Sequence, residues 1–149
     1  MMRHSKHTLA ILSGLLCCLA AVPAAASLGG DPSSVVADAQ AFGAMSVQQQ
    51  AGTLQRYEIR TAGSVIHEYV DATGVVYAIV FSGGPTPNLD QLLGTHLAAF
   101  RAGLRHDLRT AIVNTPTLQA QIHGRPGAIS GVIWLPAQLP PGISTGALQ

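Results

Sequence analysis

The apolar positions of the chain fall into three kinds of pattern. The first is an unbroken run: from Thr8 to Val22 no side chain is charged, and Leu9, Ile11, Leu12, Leu15, Leu16 and Leu19 are spaced by small residues. The second is a set of short segments rich in Val, Ile and Tyr, at Gln55–Arg60, Ser64–Val70 and Val75–Phe81. Their length and β-branched content predict strands. The turns between them, Ala62-Gly63 and Asp71-Ala72-Thr73-Gly74, are short enough to force antiparallel neighbours. Val75–Phe81 is apolar on both alternating faces, which predicts the central strand. The third pattern has a helical period: Leu89, Leu92, Leu93, Leu97 and Phe100 draw one stripe. Asn88 precedes them as a cap, and the pattern predicts one helix across the sheet, continuing past Gly103 towards Leu108.

Weaker signals complete the outline. Asp31-Pro32 is a helix start, because Asp accepts from free backbone N–H groups and Pro suits the first helical position. The helix it predicts runs from Pro32 to about Phe42 and stops at Gly43. Two more strands, Leu118–His123 and Ala128–Leu135, are expected around Gly124-Arg125-Pro126-Gly127. The expected architecture is α+β: an antiparallel sheet of about five strands, one main helix packed on it and a short N-terminal helix. A single domain spans residues 27–135, with neither an internal repeat nor a second domain. The Pro- and Gly-rich tail, 136–149, is expected as an extended edge or a frayed end.

The first apolar run has a different destiny. Arg3 and Lys6 precede it, Pro23 ends it, and Ala24-Ala25-Ala26 supplies the small residues needed for a cut between Ala26 and Ser27. Its core of about 15 residues is shorter than the ~20 of a spanning helix. Residues 1–26 therefore read as a cleaved signal peptide. The expected location is periplasmic or secreted, in a Gram-negative envelope, with no transmembrane segment after cleavage. Cys17 and Cys18 sit within the run and leave with it, so the mature domain is cysteine-free and depends on its apolar core. Without its first 26 residues the 149-residue chain keeps 123, with six Arg, no Lys and seven acids, a net charge of −1. That balance argues against nucleic acid as a partner.

The candidate chemistry is sparse. His67-Glu68 begins an H-E-x-x-H pattern, but position 71 is Asp, and on a strand His67, Tyr69 and Asp71 share a face while Glu68 points away. His96 lies in the apolar helix stripe, where it could pair with Asp90 or His123 or simply be a half-buried core histidine. His106-Asp107 reads as a solvated helix end. Arg101, Arg105 and Arg109 recur every four residues, and on a continuous helix would make one face. Such a face could grip a phosphate or carboxylate, or merely face solvent. Trp134 is expected as a core or interface anchor. Gly83-Gly84 lacks phosphate-loop spacing, and no cofactor is indicated.

The residues left as weak ligand-contact candidates are His67, His96, Arg101, Arg105, His123 and Trp134. Two functions compete. One is a non-enzymatic module that binds a partner protein or cell-envelope component through an apolar groove or sheet edge near Trp134 and the tail. The other is a small hydrolase or metal-dependent enzyme using His67, His96 or His123 with a nearby carboxylate.

Four stretches occur together in a distinctive order: Ala26-Ser27-Leu28-Gly29-Gly30, His67-Glu68-Tyr69-Val70 with Gly74-Val75, Pro87-Asn88-Leu89-Asp90-Gln91-Leu92-Leu93-Gly94, and Leu135-Pro136-Ala137-Gln138-Leu139-Pro140-Pro141-Gly142. On these the chain resembles a family of small exported proteobacterial proteins classed as domain of unknown function 2844. The resemblance covers nearly the whole mature chain. It implies export from a Gram-negative cytoplasm and supplies neither activity nor site.

Overall fold

The protein is described by a computed structural model over residues 27–107 and 109–148. The expected signal segment, 1–26, lies outside the described residues. Helix α1 (Pro32–Ala41) is followed by strands β1 (Ser46–Ala51), β2 (Leu54–Arg60), β3 (Ser64–Val70) and β4 (Val76–Gly83). Helices α2 (Leu89–Leu93) and α3 (Leu97–Gly103) come next, then β5 (Arg105–Asp107), β6 (Thr110–Asn114), β7 (Gln119–Arg125) and β8 (Ala128–Trp134). All eight strands form one antiparallel sheet in the order β1-β2-β3-β4-β8-β7-β6-β5.

That order reads the same from both edges. Each half is a helical segment followed by a four-stranded meander, and the halves join through their last strands, β4 and β8. The α+β class and the antiparallel sheet agree with the expectation, while the count of about five strands does not. The additional strands are β1, β5 and β6. β1, Ser46-Val47-Gln48-Gln49-Gln50-Ala51, has no apolar alternation and is held at the sheet edge by its hairpin with β2, Ala51 opposite Leu54. β5 is three exposed residues, and β6 is only half-buried. The halves repeat an arrangement without repeating a sequence.

The predicted long helix is broken. Asn88 caps α2 by accepting from the Asp90 N–H at 3.1 Å. At Gly94 the backbone then turns to φ 42° and ψ −111°, a conformation open to glycine. A 3-10 turn, Gly94–His96, leads into α3. Because α3 ends at Gly103 and Arg105 is already in β5, the three arginines share no helix face.

One sheet face carries the main core. Ile59, Ile66, Ile79, Phe81, Val113, Ala120 and Ile133 meet Val35 and Ala39 of α1, Leu92 and Leu93 of α2, and Phe100 of α3. At the centre Phe81 lies opposite Gly131, and a Cβ at Gly131 would overlap the Phe81 ring. The other face is covered only at one end. There the C-terminal tail, expected as an edge or free end, folds back: Leu139, Ile143 and Leu148 pack on Tyr69, Tyr77 and Trp134. The Tyr69 hydroxyl donates to the Leu148 carbonyl at 2.9 Å. The tail stays in place because Tyr69 and Trp134 are aromatic surface with no helix to cover it, and burying such surface is favourable at ~25 cal/mol per Å².

Two outcomes follow from this packing. Gly131→Ala, which puts a methyl group into the Phe81 ring, is expected to cost at least ~2 kcal/mol of stability, read by urea unfolding. Leu148→Ala is expected to cost ~2–4 kcal/mol and to red-shift the emission of Trp134 as its cover loosens. An unchanged spectrum and midpoint would show that the tail does not hold that face.

Candidate functional site

Three places gather polar groups. The first is a cleft of about 410 Å³ between the helical layer and the outer strands of the second half. Strand alternation builds its floor. Ala111, Ile122 and Ile129 lie on the helix-facing side, with Ala111 between Ile122 and the exposed His106 of the edge strand, and Ile122 opposite Gly131. Leu89, Phe100 and Leu104 wall it from above, and Thr86, His106, Asp107, Arg109 and Thr110 edge its mouth. The break at Gly103 makes this shape: a continuous helix would have carried residues 104–107 along α3 rather than out into an edge strand that frames the opening.

The second place is a trough of about 250 Å³ on the uncovered sheet face, over the β4–β8 seam. Val80 and Val132 floor it, and His67, Ser82, Gln121, His123 and Ser130 surround them. A single rung crosses all eight strands here: Val47, Glu58, His67, Val80, Val132, Gln121, Ile112 and Arg105. His67 Nε2 is 3.1 Å from Glu58 Oε2, and Arg60 Nε donates to Glu58 Oε1 at 2.6 Å. The His67 hydrogen bond first, and Arg60 after it, hold the Glu58 carboxyl below its ordinary range.

The third place is buried. Asp38 of α1 and Glu68 of β3 are both 0% exposed, as is Ser27. The Ser27 hydroxyl donates to Asp38 Oδ2, and Gln91 Nε2 donates to Oδ1 at 2.6 Å. Ser27 also lies beside Glu68, but one hydroxyl has one proton, and with it on Asp38 neither Glu68 oxygen has a donor among the described residues. Burial pushes the Glu68 carboxyl up to about 8; Ser27 opposes the shift and the charge of Asp38 adds to it. Burial likewise raises Asp38, against the hydrogen bonds from Gln91 and Ser27.

The sequence-derived candidates are dispersed. His67 and His123 share the trough but stand three strands apart, about 14 Å at the usual strand spacing. His96 sits in the 3-10 turn against Gly29, where a Cβ would come within 3.0 Å of its Nε2. It reaches neither Asp90 nor His123 by a hydrogen bond. Arg101 instead takes Asp90, in an exposed pair at 3.0 Å. Arg105 is exposed on the edge strand. Trp134 is 6% exposed under the tail, so the groove imagined beside it is filled by the chain itself.

Of the histidines proposed for hydrolysis, His67 has a carboxylate partner, but Arg60 shares that carboxylate and no hydrogen bond joins His67 to Ser82 or Ser130. Among the described residues no group of three or more His, Cys, Asp or Glu could hold a metal ion. No described helix is long and apolar enough to cross a membrane.

Sequence reasoning missed the cleft, which needs the helix break, and the buried carboxylates. A signal for Glu68 was present: it alternates with Ile66 and Val70, which marks the core face.

A pH dependence follows for the chain that retains residue 26. Glu68 goes from an unfolded value near 4.5 to about 8 when folded, so the folded state holds an extra proton between them. The Glu68 contribution to stability is therefore greatest below pH 4.5. It declines as pH rises through about 8, by on the order of a few kcal/mol. Asp38, also raised, acts in the same direction. Glu68→Gln should flatten most of that decline in urea unfolding between pH 5 and 9; an equally steep decline would assign it elsewhere.

No curated protein and no solved structure matches this chain. One family profile does, described as a protein of unknown function (DUF2844), and it spans residues 24–148. Spanning the described fold from its N-terminal strap to the last turn of the tail, that match shows that the chain belongs to the DUF2844 family.

Proposed function

We propose that the protein is exported, loses residues 1–26 before Ser27, and works in the Gram-negative envelope as a non-enzymatic binding module. Its ligand site is the cleft beneath α2 and α3. The cleft of about 410 Å³ itself carries the reading. Small-molecule sites are concave, mostly apolar cavities with a few polar groups at defined places. Here Leu89, Phe100, Leu104, Ile122 and Ile129 offer a continuous apolar surface, with Arg109 and His106 at the mouth. That combination suits an amphipathic envelope component: an apolar chain or ring inside, an anionic or hydrogen-bonding head at Arg109. His67 has a carboxylate within hydrogen-bond reach, but Arg60 shares it and no hydroxyl joins the pair, while His96 and His123 have no carboxylate partner among the described hydrogen bonds; this favours binding over hydrolysis.

Dodecanoate is a suitable probe. Titration into methyl-labelled protein is expected to shift Leu89, Leu104, Ile122 and Ile129 and to leave Val47, on the other sheet face, unmoved. Arg109→Gln should weaken binding about 5- to 10-fold, the worth of one charge-assisted contact. Scattered shifts, or none, would remove the cleft as the site. Export is tested separately: the full chain made in a Gram-negative host should be recovered from the periplasm with the mass of a product beginning at Ser27.

A further inference from the structure

We infer that Asp38 and Glu68 form an internal binding site for the α-ammonium group that removal of residues 1–26 creates on Ser27. This rests on the processing step proposed above. Hydrolysis of the Ala26–Ser27 peptide bond adds one water: the oxygen goes to the new Ala26 carboxylate, and the Ser27 nitrogen takes up protons to become –NH3⁺.

The place for that group already exists. Ser27 is 0% exposed and its hydroxyl donates to the Asp38 carboxylate, so its backbone nitrogen lies beside that carboxylate and opposes the rise that burial gives it. The residues just after it are pinned. Leu28 N–H donates to the Leu92 carbonyl at 3.2 Å, Gly29 N–H to Val76 O at 2.8 Å, and Val76 N–H back to Gly30 O at 2.9 Å. The strap from Ser27 to Gly30 thus belongs to the sheet and to α2, and it holds the nitrogen between α1 and β3.

Among the described residues, no cation pairs with the carboxylates around that point. α1 contributes Asp38 and β3 contributes Glu68; α2 contributes the neutral Gln91. Tyr57 lies opposite Glu68 on β2 and Ile79 opposite it on β4. His96, whose Nε2 comes within 3.0 Å of where a Gly29 Cβ would be, is the titratable group packed against the strap, and it makes no hydrogen bond or ion pair to either carboxylate. The described ion pairs go to Glu58 and Asp90, not to these carboxylates. Two buried carboxylates, one with both oxygens unpartnered, are costly unless paired and hydrogen-bonded. An amide at position 27 supplies a single N–H and no charge, too little for two carboxylates. An ammonium supplies three donors and a positive charge, enough to serve Asp38 and Glu68 together. The processed chain is then the form in which the core is electrostatically complete.

The mature chain has no lysine, so its α-amine is the sole primary amine and amine reagents report on it alone. The full chain is expressed for export, and the processed protein is labelled by reductive methylation, folded and in urea. Folded protein whose mass begins at Ser27 is expected to react at least about tenfold more slowly, since one unit of pKa rise removes nine-tenths of the reactive neutral amine. Glu68→Gln should recover a large part of the lost rate, whereas Glu58→Gln on the opposite face should not.

Processing should also alter the pH profile. The amine's value is raised in the folded state, so its contribution is full below its unfolded value of ~8 and is lost only as pH rises through the higher folded value. The decline from pH 5 to 8 expected of the chain retaining residue 26 should be absent after processing. A product that begins elsewhere than Ser27 would overturn the processing step and the pairing with it. A product beginning at Ser27 whose amine reacts at the unfolded rate, or whose stability falls from pH 5 to 8 like the unprocessed chain, would overturn the pairing alone.

Discussion

The whole sheet depends on the seam between β4 and β8, where four residue pairs, from Ala78 with Trp134 to Phe81 with Gly131, join two four-stranded halves. Each half has its own helical cover, but neither could close its core alone. Phe81 from the first half lies across Gly131 of the second, and Tyr69 and Tyr77 share the tail with Trp134. A substitution at the seam therefore disturbs both faces together. The absence of a side chain at Gly131 has the same origin: the aromatic ring that seals one half occupies the volume where the other half would carry a Cβ.

The two halves put the same frame to different uses. Over β5–β8 the helical layer is interrupted at Gly94 and ends at Gly103, leaving an apolar cleft with Arg109 and His106 at its mouth. Over β1–β4 the corresponding space is closed by α1 and the Ser27–Gly30 strap, and it encloses two carboxylates rather than a void. An apolar opening asks for a ligand from outside. A buried acidic pair asks for a cation, and the processing proposed before Ser27 would let the chain itself deliver one.

Much of the frame was legible in local pattern. The strands at 64–70 and 128–134 and the start of α1 at Pro32 emerged from β-branched content, alternation and capping chemistry, because these depend on neighbours in sequence. β1 was illegible because Gln48, Gln49 and Gln50 carry no alternation; its pairing with β2 comes from backbone hydrogen bonds and a two-residue turn, which any sequence short of proline permits. β5 was hidden by the regular spacing of Arg101, Arg105 and Arg109, which matches a helical period although the helix has already ended. The tail misled for a related reason. Proline and glycine describe how a segment bends, and the aromatic surface that receives it lies some 70 to 80 residues away at Tyr69 and Tyr77.

By itself the sequence determined the α+β class, the antiparallel meander through residues 54–83, the family, and which residue types were available for chemistry: no lysine or cysteine beyond the first 26 positions, few acids, scattered histidines. Those properties are carried by composition and by contacts within a few residues. Only the tertiary structure decided that the histidines stay apart, that Trp134 lies beneath the chain's own tail, that the helix break opens a cleft, and that Glu68 meets Asp38 and Ser27 in the core. Each of these is a meeting of residues distant along the chain. What brings them together is the pairing of β4 with β8 and the packing of helices across it, and no short-range pattern encodes that.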